Sequence, residues 1–221
     1  MAEIGGVPPH RVRAVTIKVC PMARGVTSGA RSRKRNSGRW SRTSPEVPMS
    51  PRPMLILDLD GVISPFGDEP KDGMAVARVS GYLLLYRPDV IAGLNALNTE
   101  GDVQLRWLTS WGDDARTHVA PALGLTDFPL VGEDTSTPPR RSWPKLRVVL
   151  LNVPAGTRFA WIDDDLTPAR QHRIRRSFGS EQCLLLRPEG RFGLTTDGLA
   201  RARTFLASSG RRRGHSARWE R

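Results

Sequence analysis

Short apolar runs alternate with helical patterns along most of the chain, and this alternation restricts the fold more than any other feature. The runs are MLILDLD, VQLRWLT, RFAWID and QCLLLRP. A helical pattern beginning near Pro88 and ending at Gly101 separates the first two runs, and further helical patterns follow the others. Strands that alternate with helices form parallel sheets with right-handed crossovers and helices on both faces. The sequence therefore predicts an α/β fold with a doubly wound, mainly parallel sheet.

The two ends of the chain differ from its middle in composition. The whole chain of 221 residues has a formal net charge of +12, of which residues 1–53 contribute +9, residues 54–206 contribute −1 and residues 207–221 contribute +4. Chain ends rich in Arg, Ser, Gly and Pro cannot bury enough apolar surface to fold. We expect a basic disordered arm, a folded domain and a basic disordered tail. An equal alternative is that translation starts at Met49 or Met54, in which case the arm is not part of the native protein.

The charge of the ends limits what can be inferred about partners. Since the middle segment is nearly neutral, the overall charge predicts at most a weak nucleic-acid contact through the basic ends. The first thirty residues of this sequence contain no apolar stretch typical of a secretory signal, and the sequence contains no apolar run of about 18 residues. We therefore expect a cytoplasmic protein that does not bind membranes. The two cysteines, Cys20 and Cys183, do not provide a disulfide framework.

Acidic and hydroxyl side chains follow the predicted strands at the points where the strands end. They are Asp58 and Asp60, then Thr109 and Ser110, then Asp163, Asp164 and Asp165, and Lys145 opens the helix before the last acidic group. Ligands of open α/β sheets bind outside the carboxyl ends of the strands. We therefore expect these side chains to meet at one edge of the sheet.

Each acidic group also has a simpler explanation. The sequence DLDG can cap a turn, and DDD before Thr167 and Pro168 can cap a helix. Taken together, however, four or five carboxylates would repel one another unless a divalent cation and a basic side chain lay among them. Carboxylate oxygens that leave room for water and phosphate suit Mg²⁺. The set as a whole therefore indicates a magnesium site.

Such a site is suited to phosphoryl transfer. A carboxylate at a strand end can attack phosphorus when a metal ion and a lysine neutralise the charge between them. A second carboxylate two residues later can protonate the leaving alkoxide and then deprotonate the attacking water. A threonine or serine hydroxyl can orient the phosphoryl oxygens. The spacing of Asp58 and Asp60 fits this pair of roles.

These residues resemble the motifs of the haloacid dehalogenase-like (HAD) superfamily of hydrolases over roughly Met54 to Leu206. The segments LILDLDGVI, RWLTSW, SWPKL and FAWIDDDL resemble its four motifs in order. The resemblance implies a Rossmann-like core in which Asp58 is the phosphorylated nucleophile and Asp60 the general acid and base. Both would contact Mg²⁺, Asp60 through its backbone carbonyl.

The other motifs imply the remaining roles. Thr109, with Ser110 as the alternative, would orient the phosphoryl group, and Lys145 would steady it. Asp163, with Asp164 as the second choice, would complete the metal site, while we expect Asp165 to be a helix cap. The segments WLTSW and WIDDD are most similar to sequences of a small bacterial branch of the superfamily. Some members of that branch are fused to RNA-repair modules.

The spacing of the motifs bears on the substrate. Only 48 residues separate Asp60 from Thr109. Because a predicted hairpin and one helix account for this segment, we expect no large cap domain. An open site admits a phosphorylated macromolecule, such as a nucleic-acid end, as well as a small phosphomonoester. Trp111 and Trp143 lie in loops near the predicted site. The predicted function is that of a Mg²⁺-dependent phosphatase acting through an aspartyl phosphate, and the alternative is a non-catalytic HAD-like binding or regulatory protein.

Overall fold

In the computed structural model, which describes residues 51–132 and 143–208, strands and helices follow one another in the predicted order. The strands are β1 (Met54–Leu57), β2 (Ala75–Val79), β3 (Tyr82–Tyr86), β4 (Gln104–Trp107), β5 (Phe159–Ile162) and β6 (Cys183–Leu186). The helices are α1 (Pro88–Glu100), α2 (Ala120–Leu123), α3 (Pro144–Asn152), α4 (Pro168–Phe178) and α5 (Thr196–Ala207). A π-helical turn at Ala115–Val119 leads directly into α2.

Four of these strands form a parallel sheet in the order β4, β1, β5, β6. The first strand of the sequence is central, and Leu55 pairs with Leu105 on one side and with Ala160 on the other. All four residues of β1 are buried, as expected for a parallel strand covered on both faces. The structure confirms the predicted doubly wound, mainly parallel α/β fold.

Alternate residues of β1 belong to two hydrophobic clusters. Leu55 and Leu57 lie in a cluster with the buried residues of α1 and α5. Met54 and Ile56 lie in a second cluster with those of α3 and α4. Successive side chains of a strand point to opposite faces, so these clusters cover the two faces of the sheet.

Proline and glycine signals set the ends of the helices that lead to the sheet edge. Pro88 and Pro144 occupy the first turns of α1 and α3, where the missing N–H of proline is not needed. Gly101 ends α1 in the left-handed conformation, with φ of 74°. Because α3 begins at Pro144, Lys145 lies in its first turn. Lys145 therefore lies at the opening of this helix, as the sequence predicted.

A separate antiparallel hairpin of β2 and β3 occupies part of the segment between Asp60 and Thr109. The sequence predicted a hairpin here from the apolar run SGYLLLYR, which contains β3, but did not identify the partner strand β2 because AVARV has few large apolar residues. The two strands are joined by Ser80 and Gly81, whose φ angles are 50° and 86°. Two central residues with positive φ are typical of a tight type I′ hairpin turn. The described residues contain no large cap domain, as predicted.

The basic arm and tail predicted for residues 1–53 and 207–221 lie almost entirely outside the described residues. Within the described ranges, none of the helices has both the length and the apolar character needed to cross a membrane.

Candidate active site

Asp58 extends the central strand at the carboxyl edge of the sheet. Its backbone N–H donates to the carbonyl of Ile162 at 3.1 Å, so the main chain still follows the sheet at this point. One carboxylate oxygen, Oδ1, accepts a hydrogen bond from the backbone N–H of Leu59 at 2.8 Å. The residue is only 5% exposed. The fold therefore holds a nearly buried carboxylate at the end of its central strand.

Lys145 joins this carboxylate to the one that follows β5. Its ammonium group donates to Oδ2 of Asp163 at 2.7 Å and also contacts Oδ2 of Asp58. Asp163 is fully buried, and the side chain of Lys145 is 20% exposed. Three residues that are distant in the sequence thus form one ion-paired group, as expected if they act together.

Burial governs the protonation of this group. Burial raises the pKa of Asp58 to about 6; Lys145 opposes this rise, and the neighbouring Asp163 adds to it. Burial alone would lower the pKa of Lys145, but the two carboxylates outweigh it and raise that pKa above its ordinary value. Lys145 therefore stays positively charged and compensates only part of the acidic charge.

A third carboxylate completes a potential metal site. One oxygen from each of Asp58, Asp163 and Asp164 lies within 4.8 Å of the others. Asp164 is half-buried, and both burial and the neighbouring charge of Asp163 raise its pKa. Three carboxylate oxygens with an excess of negative charge suit a hard divalent cation such as Mg²⁺. The donor set therefore fits the metal that the sequence predicted.

Asp60 lies beside this cluster and has a different partner. The indole N–H of Trp111 donates to both oxygens of its carboxylate, at 3.2 and 3.0 Å. The side chain of Asp60 does not belong to the group of three carboxylates that lie within 4.8 Å of one another. The sequence placed Trp111 in a loop near the predicted site, but this hydrogen bond joins residues 51 positions apart and has no local sequence signal. The two acids of DLD are therefore held in different surroundings.

Thr109 follows the strand beside Asp58. The N–H of Leu108 donates to the carbonyl of Leu57 at 2.8 Å, so Thr109 emerges at the same edge of the sheet. Its hydroxyl accepts from the backbone N–H of Trp111 at 3.3 Å. Thr109 is half-buried and Ser110 is exposed. The structure thus places both alternatives at the edge, with Thr109 more closely integrated into it.

The prediction that Asp165 caps a helix is wrong. Thr167 is the N-cap of α4, and its hydroxyl accepts from the N–H of Arg170 at 3.4 Å. Pro168 occupies the first turn, which places the cap at the residue before it. Asp165 instead forms an ion pair with Arg170, and its N–H donates to Oδ1 of Asp163 at 2.8 Å. Asp165 thus helps to fix Asp163.

Two glycines allow close packing around Asp164. A Cβ atom on Gly61 would lie 2.6 Å from the Asp164 carboxylate and 2.9 Å from the ring of Phe66. A Cβ atom on Gly190 would lie 2.7 Å from the same ring and 3.2 Å from that carboxylate. Gly61 also has a φ of 70°, which disfavours other residues. Sequence analysis recognised Gly61 only as part of the first motif and did not identify Gly190 or Phe66.

The chain was compared with known families, curated proteins and solved structures. Residues 54–197, about two thirds of the chain, match a family model described as the HAD domain in Swiss Army Knife RNA repair proteins. No curated protein and no solved structure matched. The matched range contains all four segments that resemble the HAD motifs and every residue of the site described above. The chain therefore belongs to the HAD superfamily, in the family of HAD domains of Swiss Army Knife RNA repair proteins.

Proposed function

We propose that this protein is a Mg²⁺-dependent phosphomonoesterase that forms an aspartyl phosphate on Asp58. The observation that carries the proposal is the Lys145 ammonium group between Asp58 and Asp163, within a cluster of three carboxylates. A nucleophilic carboxylate near a phosphate needs positive charge around it. Lys145 supplies one such charge, and the cluster can hold the second.

The proposed reaction has two steps, and the chain's own residues perform the proton transfers. In the first, an oxygen of Asp58 bonds to phosphorus, the ester P–O bond breaks, and Asp60 gives its proton to the leaving alkoxide. In the second, Asp60 removes a proton from water, and the water oxygen attacks phosphorus. The acyl phosphate bond then breaks, which releases inorganic phosphate and restores Asp58.

The other residues hold the reacting groups in place. Asp58, Asp163 and Asp164 would bind the Mg²⁺ ion, with Asp60 contributing its backbone carbonyl. The ion, when bound, neutralises the phosphoryl oxygens. Lys145 fixes the nucleophile and shares this neutralisation, and Thr109 binds a phosphoryl oxygen through its hydroxyl. Most of the catalytic effect then comes from positioning and charge compensation.

We propose a phosphate at a nucleic-acid end as the substrate. The description of the family as a domain of RNA repair proteins supports this choice. The fold supports it as well, because no large cap domain covers the site in the described residues. The basic ends of the chain would add weak contacts to the polynucleotide.

The test is phosphate release by the full chain from oligoribonucleotides phosphorylated at the 3′ or the 5′ end, with Mg²⁺ or with EDTA. We expect release only with Mg²⁺, and Asp58→Asn should abolish it. Asp127→Asn is the matched control, since Asp127 lies on the surface and pairs with Arg116, and it should retain the wild-type rate. A folded protein that binds Mg²⁺ but releases no phosphate from these oligonucleotides, a phosphopeptide or small phosphomonoesters would contradict the proposal and favour the non-catalytic alternative.

A further inference from the structure

An exposed aromatic ring lies two contacts away from Asp60. Tyr82, the first residue of β3, packs edge-on against Trp111, with ring centroids 5.3 Å apart and an interplanar angle of 70°. Trp111 in turn donates its indole N–H to Asp60. Although it makes this contact, Tyr82 is 62% exposed. A tyrosine whose role was to fill the core would be far more buried, so most of this ring is available to a ligand.

The hairpin turn holds Tyr82 firmly in this position. Tyr82 pairs with Val79 directly across the two-residue turn, and Val79 is buried. Tight hairpin turns of this type leave little freedom to the residues on either side. The ring is therefore presented by a rigid element, which lowers the entropy that a ligand would lose on binding to it.

A second exposed ring contacts the site from the loop after β1. Phe66 is 53% exposed, and its ring lies against Gly61 and Gly190 beside the carboxylate of Asp164. Its backbone N–H donates to the carbonyl of Gly190 at 2.8 Å. Arg187 lies in the same loop as Gly190, after β6. Its Nε donates to the carbonyl of Asp164 at 2.8 Å, and its side chain is exposed. An exposed aromatic ring and an exposed cation thus lie next to the acidic cluster.

We propose, on the basis of the function proposed above, that Tyr82, Trp111 and Phe66 form an aromatic rim that binds the unpaired bases of a single-stranded nucleic-acid end. Bases stack on exposed aromatic rings regardless of sequence. Arg187 complements the charge of the polynucleotide backbone. The terminal phosphate lies over Asp58 while the adjoining bases stack on the rim. The rim thereby selects single-stranded nucleic acid over small phosphomonoesters and phosphopeptides.

The test pairs a change in the protein with a change in the substrate. Full-length wild-type protein, Tyr82→Ala and Tyr82→Phe are assayed with Mg²⁺ on a phosphorylated single-stranded oligonucleotide and on the same oligonucleotide with abasic terminal nucleotides. We expect Tyr82→Ala to lower kcat/KM about 10-fold on the base-bearing substrate and much less on the abasic one. Tyr82→Phe, which keeps the ring, should retain most of the wild-type kcat/KM on the base-bearing substrate. Leu83→Ala is the matched control, because Leu83 is the next residue of β3 and is also exposed; it should leave the ratio of the two rates unchanged.

Several outcomes would overturn the proposal. Equal losses on both substrates would show that Tyr82 acts only by supporting Trp111 and Asp60. No loss on either oligonucleotide would show that the ring does not bind the substrate. If a phosphopeptide assayed alongside them is the one substrate whose hydrolysis falls in Tyr82→Ala, the ring binds a protein substrate instead.

A binding measurement separates the rim from the catalytic function. The affinity of Asp58→Asn for both oligonucleotides is measured by fluorescence anisotropy with Mg²⁺, with and without Tyr82→Ala. If base-dependent binding requires Tyr82 but the wild-type protein releases no phosphate, the result supports base binding by the rim and contradicts the proposed phosphatase function. If the wild-type protein hydrolyses the oligonucleotide but its binding is independent of Tyr82, the result supports the phosphatase function and contradicts base binding by the rim.

Discussion

Replacing Asp58 with asparagine is expected to stabilise the metal-free protein while abolishing its activity. Asp58 is nearly buried, and burial raises the pKa of its carboxyl group from 3.8 to about 6, although Lys145 opposes this rise. A raised pKa means that the ionised carboxylate is less favourable in the folded protein than in the unfolded chain. Asparagine has nearly the same shape and carries no charge, so it removes this cost.

The size of the effect follows from the pKa of Asp58. A tenfold change in an ionisation constant corresponds to about 1.4 kcal/mol, so the rise in pKa corresponds to about 3 kcal/mol of unfolding free energy. The destabilisation by the ionised carboxylate is complete above the folded-state pKa of about 6, where Asp58 is ionised in both the folded and the unfolded protein. It disappears as the pH falls toward 3.8, because the folded protein takes up the proton first. Asp58→Asn should therefore be more stable than the wild-type protein by about 3 kcal/mol near pH 7.5 and by only about 0.5 kcal/mol near pH 4.

Urea unfolding followed by tryptophan fluorescence measures this difference. Both proteins are unfolded in EDTA near pH 7.5 and near pH 4, and again with saturating Mg²⁺. Mg²⁺ should stabilise the wild-type protein more than the variant, since a ligand that binds only the folded state adds its binding free energy. Asp127→Asn, which changes an exposed carboxylate, should alter stability by less than about 0.5 kcal/mol.

A variant that is less stable than the wild-type protein in EDTA near pH 7.5 would contradict this prediction. A stability difference that does not change between the two pH values would refute it as well. The first result would mean that the attraction of Lys145 outweighs the burial of the ionised carboxylate, and the second that the two effects balance.

Three further substitutions test individual contacts, each by urea unfolding. Lys145→Met leaves the buried carboxylates without their cation, so we expect a loss of about 3 kcal/mol in EDTA and partial recovery with Mg²⁺; no loss would contradict the ion-paired arrangement. Gly61→Ala places a methyl group against Asp164 at positive φ and should cost about 2 kcal/mol and weaken Mg²⁺ binding measured by calorimetry. Ser80→Asn suits the positive φ of the hairpin turn and should stabilise the protein by about 0.5 kcal/mol, whereas destabilisation would contradict the type I′ assignment.

Local patterns were sufficient to predict the parallel sheet and most of its helices. The apolar runs of the sheet strands are short and continuous because these strands are covered on both faces. Proline and glycine mark the helix ends because of their own backbone chemistry. The hairpin strand β2 was missed because it is partly exposed, and its small residues carry no clear period. The cap of α4 was assigned to Asp165 rather than Thr167 because aspartate and threonine are both common N-cap residues and both precede Pro168.

Local sequence patterns were enough to predict which side chains reach the carboxyl edge of the sheet. Asp58, Thr109 and Asp163 each directly follow an apolar run, and parallel strands deliver such residues to a common edge. How these groups interact with the rest of the chain depends on tertiary packing. The bond from Trp111 to Asp60 and the exposed ring of Tyr82 depend on how loops and a hairpin pack over that edge. Such contacts join residues far apart in the chain and leave no local period, because hydrophobic periodicity records the burial of each segment and not the partner it meets.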